Sequence, residues 1–200
     1  YPFTHEFKGL LKYIGTPHYA VPGCHGANYC SFIFARFDQP LDSFRGGIAA
    51  VNNPDSMSGM LALKLVFAPF AKEGKFFARA LQSGGHVKSM LAVRDGLADV
   101  CAIDAVCVAM ARRYRPDYLE GLIEIARSPS VPGLPYVTRG GGIEAMRQGL
   151  VAAFADSDLQ DCREQLFLSG HSVLRPNAYE RITDLESDMQ KAGGLELYDD

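Results

Sequence analysis

The chain has 200 residues, with 48% apolar and 22% charged side chains, which is enough apolar material for one domain or two small lobes with a real core. The formal net charge of −3 supplies no positive field to recruit nucleic acid. No apolar run reaches the roughly eighteen residues that a membrane span needs, and no basic segment followed by an apolar stretch opens the chain as a signal peptide would.

The cysteines Cys24, Cys30, Cys101, Cys107 and Cys162 are odd in number and form no C-x-x-C pair, so neither a disulfide framework nor a zinc ribbon is expected. In chain order, "LLKYIGT" (10–16) predicts a strand. "HYAVPGCHGANY" reads as a loop punctuated by glycine and proline. "SFIFARF" (31–37) predicts a second strand, with Phe32 and Phe34 on one face. "GGIAAV" (46–51) and "ADVCAI" (98–103) are short apolar runs suited to buried parallel strands. "MLALKLVF" (60–67), "FFARAL" (76–81) and "VKSMLAVRDG" read as helices, the last ended by Gly96. A helix then runs toward Pro116, and "GLIEIAR" (121–127) predicts another strand. "SPSVPGLPYVTRGG" is a crossing segment. Helix is expected from residue 143 onward, including "LQDCREQLFLSG". Strand and helix alternate over 46–127, which argues for an α/β unit with a mainly parallel sheet.

Ligands of parallel α/β sheets bind beyond the carboxyl ends of the strands. Three loops fall there. "NNPDSMSG" follows the strand at 46–51, and its helix start leaves backbone N–H groups unpaired with about half a positive charge. Ser56 and Ser58 flank that start, and Gly59 permits a close approach. Plain capping by serine is the alternative. "QSGGHVKS" places His86 in a first helical turn, where a charged imidazole is disfavoured and a neutral one fits. Asp104 follows "ADVCAI", either facing a ligand or capping the next helix. His18, Cys24, His25 and Cys30 match no common zinc spacing.

Taken together, "RGGIAAVNNPDSMSGMLAL", "SGGHVKSMLAVRDGLADVCAID", "SPSVPGLPYVT" and "GTPHYAVPGCHGANYCSFIFAR" resemble the PhnD-like phosphate, phosphite and phosphonate-binding proteins of ABC importers. The resemblance implies a type 2 periplasmic binding protein, with two α/β lobes closing on a ligand across a two-strand hinge near 31–37 and 132–138. Lobe one is then 1–37 plus 132–200, and lobe two 38–131. The resemblance also implies that Ser56, Met57 and Ser58 cradle a small phosphorus oxyanion. His86, Asp104 and Tyr19 complete the ligand-binding set. Met57 stands where the family often carries a hydroxyl residue. The family's first strand–helix unit is expected to be missing, about 60 residues by the size such a unit requires. Either the chain is a fragment or a second copy completes the sheet as a homodimer.

The expected function is therefore the solute-binding component of an importer, with a small anionic ligand, an ABC permease as partner, no cofactor, no metal and no catalysis. The location implied is periplasmic, whereas unpaired thiols fit a reducing compartment such as the cytoplasm. The alternatives are a sensor domain, or an enzyme on the same fold with Cys24 and His86 as its first candidates.

Overall fold

Two buried apolar runs organise the larger of three sheets in the computed structural model, which describes residues 1–175 and 177–198. The strands are β1 (Lys12–Tyr19), β2 (Cys24–His25), β3 (Asn28–Tyr29), β4 (Ser31–Ala35), β5 (Ile48–Val51), β6 (Arg79–Gln82), β7 (Val100–Asp104), β8 (Ile123–Arg127), β9 (Val131–Pro132), β10 (Tyr136–Thr138) and β11 (Leu168–Ser172). The helices are α1 (Ala62–Phe67), α2 (His86–Arg94), α3 (Ala105–Tyr114), α4 (Ile143–Ala155), α5 (Gln160–Gln165) and α6 (Glu180–Lys191).

The five-stranded sheet has the order β6-β5-β7-β4-β8. β5 runs parallel to both β6 and β7, while β4 is antiparallel to β7 and β8. Every residue of β4 and β7 is buried, as expected of strands covered on both faces. Packed against them are Leu61, Leu63 and Phe67 from the first helical segment and Val93 and Val108 from α2 and α3.

A second sheet, β10-β1-β11, is antiparallel throughout. Between the two lies a third, β2-β3-β9, in which Asn28 pairs with Pro132 and Tyr29 with Val131. The two passages connecting the large sheets are thus hydrogen-bonded to each other.

Four elements differ from the sequence expectation. The loop 18–29 contains the hairpin β2–β3. "FFARAL" is not helical. Phe76 and Phe77 instead pack on Phe67, tilted and edge-on, at centroid distances of 5.1 and 5.0 Å, and the chain leaves them as β6, the parallel neighbour that β5 requires. "LFLSG" leaves helix at Phe167, whose φ is +57°, and becomes β11 against β1. Finally, Ser31–Ala35 is an interior strand of the five-stranded sheet, so the passage between sheets falls before Ser31 rather than after residue 37.

Gly23 turns the chain toward that passage with φ +88°, and a Cβ there would lie 2.9 Å from Ala105 Cβ and from the Phe32 ring. Gly23→Ala therefore meets both a left-handed backbone and a filled core. It is expected to cost about 1–3 kcal/mol, seen as a lower urea midpoint at unchanged slope. An unchanged midpoint would show that this turn relaxes freely.

Candidate functional site

The carboxyl ends of β5, β6 and β7 lie side by side because these strands pair in parallel, and each is followed by the start of a helix. After β5, Ser56 caps the first helical segment. Its backbone is extended and its Oγ accepts the Gly59 N–H at 3.0 Å. The segment opens as a π-turn over Met57–Leu61, with the Met60 and Leu61 N–H groups both donating to Ser56 O, before tightening into α1. Such turns widen the helix start. The N–H groups of Met57 and Ser58 belong to the first turn, which has no intrahelical acceptor. Gly59 is required here, since a Cβ would fall 1.7 Å from Asn52 Oδ1.

After β6, the loop Ser83–Gly85 is tied down by Ser83 N–H to Val51 O (2.8 Å), Gly84 N–H to Asn52 O (2.9 Å) and Ser83 Oγ with Ser89 Oγ (2.7 Å). This fixes His86 as the first residue of α2. After β7, Asp104 is both the last strand residue and the cap of α3, its Oδ1 accepting the Cys107 N–H at 2.9 Å.

The three starts touch. His86 Nε2 lies 2.9 Å from Ser58 Oγ and 3.2 Å from Asp104 Oδ2, and Ser58 Oγ is 3.5 Å from Ser56 Oγ. Asp104 thus serves both alternatives raised by its position, capping with one oxygen and holding His86 with the other. Burial pushes the His86 pKa down from 6.5, against the opposing pull of Asp104. The neutral ring, protonated on Nε2, donates toward Asp104. Its Nδ1 is buried with no hydrogen-bond partner among the described residues, and the Ala102 carbonyl, like Asp104, favours the protonated ring without offsetting burial.

This is not a charge-relay arrangement. In a Ser-His-Asp triad the serine and the carboxylate meet opposite nitrogens of the ring. Here both meet Nε2. Nor is Cys24 activated: burial, reinforced by Asp104, pushes its thiol up to about 11. Among the described residues, His86, Asp104 and Cys107 place donor atoms within 4.8 Å of one another. The imidazole and carboxylate of that group already bond to each other, and burial drives the Cys107 thiol strongly up.

These residues form one end of a cavity of about 560 Å³. Asn52, Ser56, Met57, Ser58, His86 and Asp104 line that end, and no lysine or arginine is among the lining residues. The opposite wall comes from the antiparallel side of the molecule and includes Phe3, Leu134, Pro135 and Tyr179. Tyr19 does not line the cavity. It ends β1 opposite Leu168 and packs, partly buried, against the core. Sequence spacing missed Asn52, although it directly follows β5. It also missed Tyr179, which carries no local signal.

The fold and cleft define a two-lobed α/β binding protein of the type 2 periplasmic class. XAC2383 from Xanthomonas citri, bound to ATP, superposes with a TM-score of 0.69 at 20% identity, covering 94% of this chain and 74% of that one. A binding protein component of an ABC phosphonate transporter from Pseudomonas aeruginosa gives 0.72 at 21%, covering 92% and 64%. PhnD1 from Prochlorococcus marinus in complex with methylphosphonate gives 0.71 at 14%, covering 91% and 72%. No curated protein matches the sequence. The family model of the periplasmic substrate-binding proteins of ABC phosphonate transporters matches residues 19–189, and the chain belongs to that family. It is a substrate-binding component of an ABC phosphonate transporter, from a family of transport proteins and not of enzymes. Membership implies a small ligand, a permease partner and a place outside the cytoplasm. No helix among the described residues is long and apolar enough to cross a membrane.

The depressed His86 pKa has a stability consequence. Between its folded value and 6.5 the unfolded chain binds the proton and the folded chain does not, so stability falls as pH drops below about 6.5. The urea midpoint of the ligand-free chain should drop between about pH 8 and pH 5, and His86→Gln should drop less. Parallel curves for the two would contradict a neutral, buried His86.

Proposed function

We propose that the chain captures a phosphonate by its phosphorus oxyanion at the convergence of three helix N-termini, and yields it to a permease. The observation that carries this reading is the contact between Ser58, His86 and Asp104 at the polar end of a cavity without lysine or arginine. Each helix start contributes about half a positive charge, so an anion is attracted with no salt bridge to break on release.

In this reading the Met57 and Ser58 N–H groups and the Ser56 and Ser58 hydroxyls donate to the phosphonate oxygens. Ser56 Oγ accepts from Gly59 while its proton stays free to donate. Met57 contributes backbone and shape, since its buried side chain carries no donor. Asp104 does not meet the anion directly: it is engaged by His86 and Cys107 N–H, which offsets its charge at the site.

Residues 1–30 with 132–198 make one lobe and 31–131 the other. The paired passages at Asn28–Tyr29 and Val131–Pro132 are the hinge. The enzyme reading is disfavoured by the protonated Cys24 thiol and by the use of one ring nitrogen of His86 for both its partners. Two N–H groups, two hydroxyls and a helix dipole bind and hold. They move no proton and break no bond.

Ser56→Ala and Ser58→Ala should each weaken methylphosphonate binding by about 1–3 kcal/mol in isothermal titration, the range for hydrogen bonds to a charged group. Binding that survives both changes would place the anion elsewhere. Cys24→Ala should leave the affinity unchanged.

A further inference from the structure

The cavity is much larger than the anion that the helix starts can hold. A phosphonate head fills about the share of three water molecules, roughly 90 Å³, in a space of about 560 Å³. Sites of this size ordinarily take organic ligands, with a few polar groups fixing one end and apolar walls enclosing the rest. That division is present here. The polar side chains described above gather at the β5–β7 end, and the far wall is built from aromatic and aliphatic groups.

The far wall is apolar by construction. The Tyr179 hydroxyl is spent inward, donating to Gly133 O at 2.7 Å and sharing a 2.7 Å hydrogen bond with Thr16 Oγ1, so the cavity meets its ring. Phe3 stands edge-on to that ring at 5.2 Å between centroids. Leu134 sits on the short loop between β9 and β10 at 70% exposure, a large aliphatic side chain left uncovered beside the cavity and flanked by Pro135. An uncovered leucine alone means little. One that continues a wall of phenylalanine and tyrosine rings, opposite an anion cradle, has an occupant defined by that geometry.

We infer that the ligand is an organophosphonate whose substituent is an apolar alkyl or aryl group of several carbons, seated against Phe3, Leu134, Pro135 and Tyr179. This rests on the reading that the β5–β7 end holds the phosphonate head. The head fixes orientation and the substituent supplies selectivity. A methyl group leaves the wall unfilled, and an inorganic oxyanion does not reach it.

The test is a titration series on the purified chain: methyl-, ethyl-, propyl-, butyl- and phenylphosphonate, with 2-aminoethylphosphonate and inorganic phosphate alongside. Each buried methylene is expected to tighten binding about three- to fourfold, so butylphosphonate should bind some tens of times more tightly than methylphosphonate. Leu134→Ser lies on an exposed loop and should flatten the dependence on chain length. Saturable methylphosphonate binding with no gain along the series would overturn the inference and leave the anion site standing. Preference for 2-aminoethyl over propylphosphonate would overturn it too, by assigning the substituent to a carboxylate such as the exposed Asp55. No saturable binding by any member would overturn the inference together with the site.

Discussion

Parallel pairing of β5 with β6 on one side and β7 on the other is the constraint from which the site follows. Parallel strands point their carboxyl ends the same way, and each must be followed by a return segment. Here those returns begin with Ser56, His86 and Asp104, so three helix starts meet at one edge of one sheet. An antiparallel arrangement would scatter them to opposite ends. The antiparallel strand β4 sits between β7 and β8, outside the parallel trio, and leaves that edge intact.

The electrostatics of the site are those of dipoles and neutral donors. His86 is kept neutral by burial, which outweighs the opposing pull of Asp104 and of the Ala102 carbonyl. Asp104 spends its two oxygens on His86 and on the Cys107 N–H. A carboxylate near an anion site is ordinarily a liability. Here it caps α3 and fixes the ring that holds Ser58. In the proposed reading the helix starts, whose N–H groups are already unpaired, meet the cost of desolvating the anion without reorganisation of charge.

Much of this was legible in the sequence, for identifiable reasons. "GGIAAV" and "ADVCAI" read as buried strands because parallel strands covered on both faces become unbroken apolar runs. Ser56, Ser58, His86 and Asp104 are legible as neighbours because each follows one of these strand ends, where ligands of parallel sheets bind. "FFARAL" and "LFLSG" read locally as helix because their strand character comes from distant neighbours, β5 for one and β1 for the other. Local spacing carries no trace of a tertiary partner. The apolar wall was invisible for the same reason. Phe3, Leu134 and Tyr179 lie far apart in the chain and converge only once the third small sheet has brought the two passages together.

The most direct measurement is backbone amide NMR of the labelled chain during titration with methylphosphonate. If the helix starts hold the phosphonate oxygens, the Met57 and Ser58 amide protons will move downfield along one saturable curve, with His86 following, and saturate at one equivalent per chain. Saturable shifts confined to another surface, with Met57 and Ser58 unmoved, would contradict the account at its centre.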